Sequence, residues 1–220
     1  MTKLVLGVSG RAGVGKDTFA TMLADLLTEE GYNVSLYAFA DPVKQVYSVM
    51  FEGDPYTNDR VLKEQTIIPN SGGRTMRRLL QIIGTEFGRA LNPRIWVEHM
   101  EQRVSRLQTK DLEVVIITDI RFPDELQFVA HTLGGMVFDV QRNEPQPLPK
   151  WKLRIRHLLR RAPHISEQVE YRKSLDLYGG KVIHNELGKF ELKLTARHTV
   201  AHTILPYFRK LVGSAGSKGE

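Results

Sequence analysis

The chain has 220 residues with ordinary apolar and charged fractions, 41% and 25%, enough for one globular domain with a sizeable core. It contains no cysteine, which excludes disulfides and thiolate metal sites and is compatible with a reducing cytoplasm; no apolar run is long enough to span a bilayer, and the start reads as a strand rather than a signal peptide. The net charge of +6 is confined to the stretch from Arg142 to Lys173, where nine Lys/Arg stand against three acids, so the sequence argues against a general nucleic-acid-binding surface and for one basic element.

Leu4-Val5-Leu6-Gly7-Val8 reads as a buried strand, and Phe19 to Leu27 has the apolar spacing of a helix. Between them lies Gly10-Arg11-Ala12-Gly13-Val14-Gly15-Lys16-Asp17-Thr18. Strand, glycine loop and helix N-terminus together make a phosphate cradle: glycines let backbone N–H groups converge on an anion, and the helix end adds partial positive charge. The pattern G-x-x-x-x-G-K runs from Gly10 to Lys16, which places Lys16 to reach the β/γ-phosphates of a nucleotide. Asp17 takes the place usually held by Ser or Thr, and a carboxylate there can serve Mg²⁺ directly or through water. Arg11, Gly13, Val14, Gly15, Lys16, Asp17 and Thr18 are the candidate ATP-binding residues.

After Gly31 a second strand is expected over Asn33–Phe39, then a helix that Asp41 caps and Pro42 opens, with Lys44 one turn in. From Glu52 to Gly73 the chain is rich in Asp, Asn, Pro and Gly and is expected to be an insertion or mobile loop. Arg74 to Arg89 predicts a helix. At about 100° per residue, Arg77, Arg78, Gln81, Gly84, Thr85 and Gly88 share one polar arc, while Leu79, Leu80, Ile83 and Phe87 form the core arc. Two interior glycines each cost about 1 kcal/mol against alanine, which suggests a close approach to that face, either by a phosphate-bearing ligand or by another helix. Pro93 opens a further helix to about Leu107. Its Trp96 either fills the core or offers a flat surface to a nucleobase.

Glu113 to Thr118 is a β-branched run expected to be a central parallel strand buried on both faces. Asp119 stands at its carboxyl end, where open α/β sheets bind ligands; it can meet Mg²⁺ or a substrate hydroxyl, or simply cap the strand or pair with Arg121. A helix from Pro123 to about Leu133 and a fourth strand, Met136–Val140, follow. The basic stretch, 142–175, is bounded by proline-rich and Gly-Gly segments and is read as a lid over phosphates, in preference to a solvated face or a nucleic-acid strip. Lys181–His184 gives the last strand. A final helix from about Phe190 to Leu211 is expected to bend or break at Pro206, and 213–220 to be a disordered tail.

Several of these stretches are similar to the deoxynucleoside monophosphate kinases of tailed bacteriophages, a branch of the P-loop nucleoside and nucleotide kinases. The resemblance rests on Gly13-x-Gly15-Lys16-Asp17, the helix from Arg77 to Arg89, Trp96, the run Ile117-Thr118-Asp119-Ile120-Arg121-Phe122-Pro123, and His164-x-Ser166-Glu167. It implies an α/β fold of the nucleoside-monophosphate-kinase type: a parallel five-stranded sheet flanked by helices, in a single domain over 1–212, with a variable insertion at 52–73 and a lid excursion. It implies transfer of the γ-phosphoryl group of ATP to a deoxynucleoside monophosphate, with Mg²⁺ held by Asp17 and Asp119. Lys44, Arg77, Arg78, Gln81, Gly84, Thr85, Trp96, Asp119, Arg121 and Glu167 would then bind the acceptor. Lys16, Asp17, Arg121 and the lid arginines Arg160, Arg161 and Arg172 would act on the transferring group. The location implied is the cytoplasm, that of the host cell if the chain is phage-encoded, and a homodimer is compatible. The rival readings are another small-molecule P-loop kinase, similar to dephospho-coenzyme A kinase, and a nucleotide-dependent nucleic-acid-binding protein.

Overall fold

The computed structural model describes residues 3–107, 113–142, 175–186 and 188–216. The single domain expected from the sequence divides into two compact units, one made of residues 1–37 and 109–220 and the other of Ala38–Gln108.

The first unit is built on a five-stranded sheet. Its strands are β1 (Lys3–Ser9), β2 (Asn33–Ala38), β3 (Glu113–Ile120), β4 (Met136–Gln141) and β5 (Lys181–His184), in the order β2-β3-β1-β4-β5. β1 pairs in parallel with β3 and β4, and β4 with β5, as the sequence predicts. The glycine-loop strand is therefore central. Parallel strands need long crossovers, and helices provide them. Leu4, Leu6, Val8, Val114, Ile116, Phe138 and Val140 point to one face, where α1 (Lys16–Glu29) contributes Phe19, Leu23 and Leu27 and α8 (Lys189–Thr199) contributes Leu192 and Ala196. On the other face Gly7 is crowded by Ile120, Val129 and Val137, so that α7 (Pro123–Gln127) and the turn after it close down on the sheet.

Two helices here depart from regular α geometry. The helix starting at Pro123 passes into a π-helical turn at Phe128–Thr132. The last helix is not broken at Pro206: α8 runs through a π turn, Val200–Ile204, into α9 (Leu205–Gly216). A proline ring clashes with the carbonyl four residues back, here that of His202, and a widened turn relieves the clash. The helix also continues through Gly216, past the point where a disordered tail was expected.

The second unit is helical. It holds α2 (Asp41–Met50), α3 (Arg60–Glu64), α4 (Met76–Gln81), a π turn at Ile82–Phe87, α5 (Gly88–Leu91) and α6 (Ile95–Ser105). The insertion expected at 52–73 is not wholly irregular. Asp59 caps α3 by accepting from the N–H groups of Val61 and Leu62, and Ile67 bridges to Thr75. Asp41 does not cap α2. Ala40 holds the cap position, and the Asp41 carboxylate accepts from the Ala38 N–H at 3.0 Å and from Arg103 at 2.9 Å, tying the start of α2 to α6.

Candidate active site

In the first unit the loop between β1 and α1 has the geometry of an anion cradle. Gly10, Gly13 and Gly15 take φ of 144°, 81° and 96°, a region that side-chain-bearing residues avoid. Gly10 is doubly constrained, because a Cβ there would lie 2.6 Å from the Val140 carbonyl oxygen. Gly15 occupies the N-cap position of α1 and has no side chain with which to cap it, so the N–H groups of the first turn suit an external acceptor.

Lys16 begins α1 with its side chain almost wholly buried, and its Nζ lies 2.9 Å from a carboxylate oxygen of Asp17 and 2.9 Å from one of Asp119. Burial pulls the ammonium pKa down, but the two carboxylates more than compensate and hold it above its ordinary value, so the group stays charged at neutral pH. Asp119 itself is buried and has φ of +59°, unusual for a residue with a side chain. The cause is in the register: Gly7 pairs with Ile117 but Ser9 pairs with Ile120, so β3 carries one residue more than β1 at this point. The bulge re-aims the Asp119 carboxylate, which also accepts from Arg121 Nη2 at 3.1 Å. Proximity to Asp119 outweighs burial and holds the Arg121 guanidinium firmly in its charged form.

Three supporting groups had not been picked out from the sequence. The buried Glu125 accepts from the backbone N–H of Arg121 at 2.8 Å and of Phe122 at 3.2 Å, fixing the turn that presents Arg121. A Pro-x-Glu at a helix start could have disclosed it. Asp139, also buried, accepts from Ser9 Oγ at 2.6 Å and Gln141 Nε2 at 2.8 Å. Asn185, just after β5, donates from Nδ2 to the Val14 carbonyl at 2.7 Å. A cleft of about 270 Å³ beside the loop is lined by Gly13, Gly15, Thr18, Arg142, Asn185, Gly188, Lys189 and Leu192.

The first unit thus brings together Gly13 to Thr18, Asp119 and Arg121, with Arg11 exposed on the loop. Asp17 and Asp119 share Lys16 as a partner, and among the described residues no three carboxylate or imidazole groups converge on a metal position. That donor set fits Mg²⁺, which takes one or two carboxylates and completes its shell with phosphate oxygens and water.

The second unit holds Lys44, Arg77, Arg78, Gln81, Gly84, Thr85 and Trp96. Thr75 caps α4 by accepting from the Arg78 N–H. Arg77 pairs with Glu64 at 2.7 Å, and Arg78 pairs with Glu86. Lys44 lies over the Tyr56 ring, 4.7 Å from its centroid. Of the two readings of Trp96, core filling is the one observed: the residue is 9% exposed and its Nε1 donates to the Gly84 carbonyl at 2.6 Å. The polar arc also needs correction. A Cβ on Gly88 would run into the Trp96 ring and lie 2.9 Å from the Ile83 carbonyl oxygen, so Gly88 faces the core, whereas Phe87, assigned to the core arc, is 58% exposed. Gly84 differs from Gly88, since a Cβ there would meet only the Val43 methyls at 3.4 and 3.5 Å. Arg160, Arg161, Arg172 and Glu167, with the rest of residues 143–174, lie outside the described residues.

Comparison with known proteins agrees with the resemblance drawn from the sequence. Residues 56–149 match the family model described as deoxynucleotide monophosphate kinase, a span that takes in the Arg77–Arg89 helix, Trp96 and the Thr118–Pro123 run. The deoxynucleoside-5'-monophosphate kinase of Escherichia phage T5 is 26% identical over 185 residues, covering 59% of this chain and 72% of that protein. Solved structures to which the chain is similar include the following two. One is a dephospho-CoA kinase from Campylobacter jejuni, with 14% identity, 91% of this chain and 96% of that one covered, and a TM-score of 0.42. The other is a thymidylate kinase from Ehrlichia chaffeensis, with 12% identity, 91% and 99% covered, and a TM-score of 0.40.

Proposed function

We propose that this chain is a deoxynucleoside monophosphate kinase, converting ATP and a deoxynucleoside monophosphate into ADP and the deoxynucleoside diphosphate. The observation that carries the reading is the glycine-framed N-terminus of α1, with glycine at its cap and Lys16 held at its mouth between Asp17 and Asp119. Such a site binds a polyphosphate and offers a fixed cation to its terminal groups. In-line phosphoryl transfer needs mainly positioning and charge neutralisation, with no covalent intermediate on the protein.

In this reading the loop N–H groups and Lys16 hold the donor phosphates, and the cleft beside Asn185 and Arg142 takes the rest of the donor. Mg²⁺, when bound, neutralises charge on the β- and γ-oxygens; Asp17 and Asp119 are the residues that would hold it. Arg121 stabilises charge on the transferring group. Its guanidinium is held by Asp119 and its backbone by Glu125, so little reorganisation accompanies its use. In the second unit Arg77 and Arg78 clamp the acceptor phosphate, Gln81 and Thr85 supply polar contacts, Lys44 adds charge, and Gly84 leaves room for the acceptor. Trp96 acts at one remove by holding the Gly84 carbonyl. Arg160, Arg161 and Arg172 would act on the transferring group, and Glu167 on the acceptor.

A coupled ADP-release assay across all common ribo- and deoxynucleoside monophosphates tests the proposal. ADP release that depends on a deoxynucleoside monophosphate is the expected result. Release dependent instead on dephospho-coenzyme A, or salt-sensitive nucleic-acid binding without release under any acceptor, would overturn it.

A further inference from the structure

Val14 sits between two glycines of left-handed backbone, Gly13 at φ 81° and Gly15 at φ 96°. Glycine tolerates many conformations, so the crest of the phosphate loop is not fixed by its own sequence. A polar side chain from a distant part of the chain hydrogen-bonds to it. Asn185 follows β5 and extends the β4–β5 ladder by donating its backbone N–H to the Gln141 carbonyl at 2.8 Å. Its side chain turns inward, 6% exposed, and Nδ2 donates to the Val14 carbonyl at 2.7 Å. The amide lies so close beneath the loop that a Cβ on Gly15 would be 2.6 Å from Nδ2.

We propose that Asn185 is a positioning residue for the phosphate loop. In a trans peptide the carbonyl of one residue and the N–H of the next point in opposite directions. Anchoring the Val14 carbonyl on the Asn185 side therefore turns the Gly15 N–H the other way, toward the anion. The anchor is itself braced: Ser9 and Gln141 both donate to the buried Asp139 carboxylate, and Gln141 receives the Asn185 backbone. A run of hydrogen bonds thus leads from the end of β1, through β4, to the crest of the loop. The other amide atom supports the assignment. Among the described residues Asn185 Oδ1 is buried with no hydrogen-bond partner, a disfavoured state for a polar atom. Rotating the amide would not relieve it, because Oδ1 would then confront the Val14 carbonyl oxygen. Only a hydrogen-bond donor suits this position.

The proposal rests on the nucleotide-binding reading of the loop, and its test separates the two. ADP binding and ligand-free melting are measured on the full chain as wild type, Asn185→Ala and Asn185→Asp, across a pH series. Asn185→Ala is expected to weaken ADP binding by about tenfold, the scale of one buried hydrogen bond. In Asn185→Asp the ionised carboxylate offers only acceptors to the Val14 carbonyl, whereas the protonated acid regains an O–H donor. Its affinity ratio to wild type should therefore be worst at high pH and recover as pH falls. A role in packing alone would lower the melting temperature of both variants and leave the ADP affinity ratios flat with pH, and that result overturns the proposal. Wild-type protein that fails to bind ADP overturns the nucleotide reading and this proposal together; wild-type binding matched by both variants overturns this one only.

Discussion

Replacing Asp119 removes a buried anion that pairs with both Lys16 and Arg121. Taking away one partner of a buried ion pair costs about 3–5 kcal/mol, because the other charge is left uncompensated. Two features move the expectation to the lower end. The other partner of Lys16, Asp17, has a side chain 74% exposed, and the Arg121 side chain is more than a third exposed, so water screens part of the loss. The expected cost of Asp119→Asn is then about 3 kcal/mol, which for a chain of this size lowers the melting temperature by about 6–12 °C. The backbone adds a second, separable effect. At φ of +59° alanine is strained by about 1–2 kcal/mol and glycine is not, whereas in an ordinary strand alanine would be the more stable of the two. The order expected is wild type, then Asn, then Gly, with Ala lowest. Lys16 supplies the pH sign. Its pKa is raised above the ordinary 10.5, so its contribution is fully present below that value and is lost only as pH rises through the raised one; the deficit of the Asn variant should persist at neutral pH and shrink in strong alkali. Ligand-free calorimetric melting of the three variants is the assay. An Asn variant melting within about 2 °C of wild type would refute the claim that Asp119 neutralises two cations, and an Ala variant melting above the Gly variant would refute the left-handed backbone.

Lys16→Ala should reduce turnover by at least about 100-fold, or nearly 3 kcal/mol of transition-state stabilisation, measured by ADP release at saturating substrates; near-normal turnover removes the phosphate-loop mechanism. The glycines of the second unit should behave oppositely. Gly88→Ala forces a methyl into the Trp96 ring and should cost about 1–3 kcal/mol in urea unfolding, while Gly84→Ala should leave stability unchanged or improved and raise KM for the monophosphate alone. Glu64→Gln releases Arg77 from its partly exposed ion pair and should tighten monophosphate binding by about two- to fivefold in a calorimetric titration; weaker binding would assign Glu64 to holding Arg77 in place rather than competing for it.

The sheet was legible because each strand announces itself within a few residues. Leu4 to Val8 and Glu113 to Thr118 are apolar runs of strand length, and the glycine motif identifies β1 as a phosphate-loop strand. Lys16, Asp119 and Arg121 were legible for the same reason, since loop, strand end and following turn are local patterns. Asn185 and Asp139 were not. Their partners, Val14 and Ser9, are more than a hundred residues away in sequence, and one Asn after a strand or one Asp within it carries no local signal of what it will meet. Asp41 misled through a locally reasonable pattern: Asp-Pro is a good helix start, but here the Asp41 carboxylate serves Arg103 and the Ala38 N–H, a tertiary choice that overrides the cap.

The helix from Met76 to Leu91 failed in a more instructive way, because the wrong quantity was the period. A wheel drawn at about 100° per residue assumes i→i+4 bonding throughout, whereas a π turn takes one extra residue and sets back everything after it by about 100°. The residues before the turn obey the wheel: Leu79 is buried and Arg78 exposed. Beyond it the phase slips, so Phe87 turns toward water and Gly88 turns under Trp96. The same turn frees a carbonyl geometry in which Gly84 can accept from the Trp96 Nε1, and Trp96 in turn fills the space that Gly88 leaves open. Glycine, tryptophan and widened turn are therefore one device. The two glycines that looked alike as helix-weakening residues differ in their surroundings: Gly88 is required by a ring within the protein, whereas a side chain on Gly84 would meet only the Val43 methyls, which is why we propose Gly84, and not Gly88, as a contact for the acceptor.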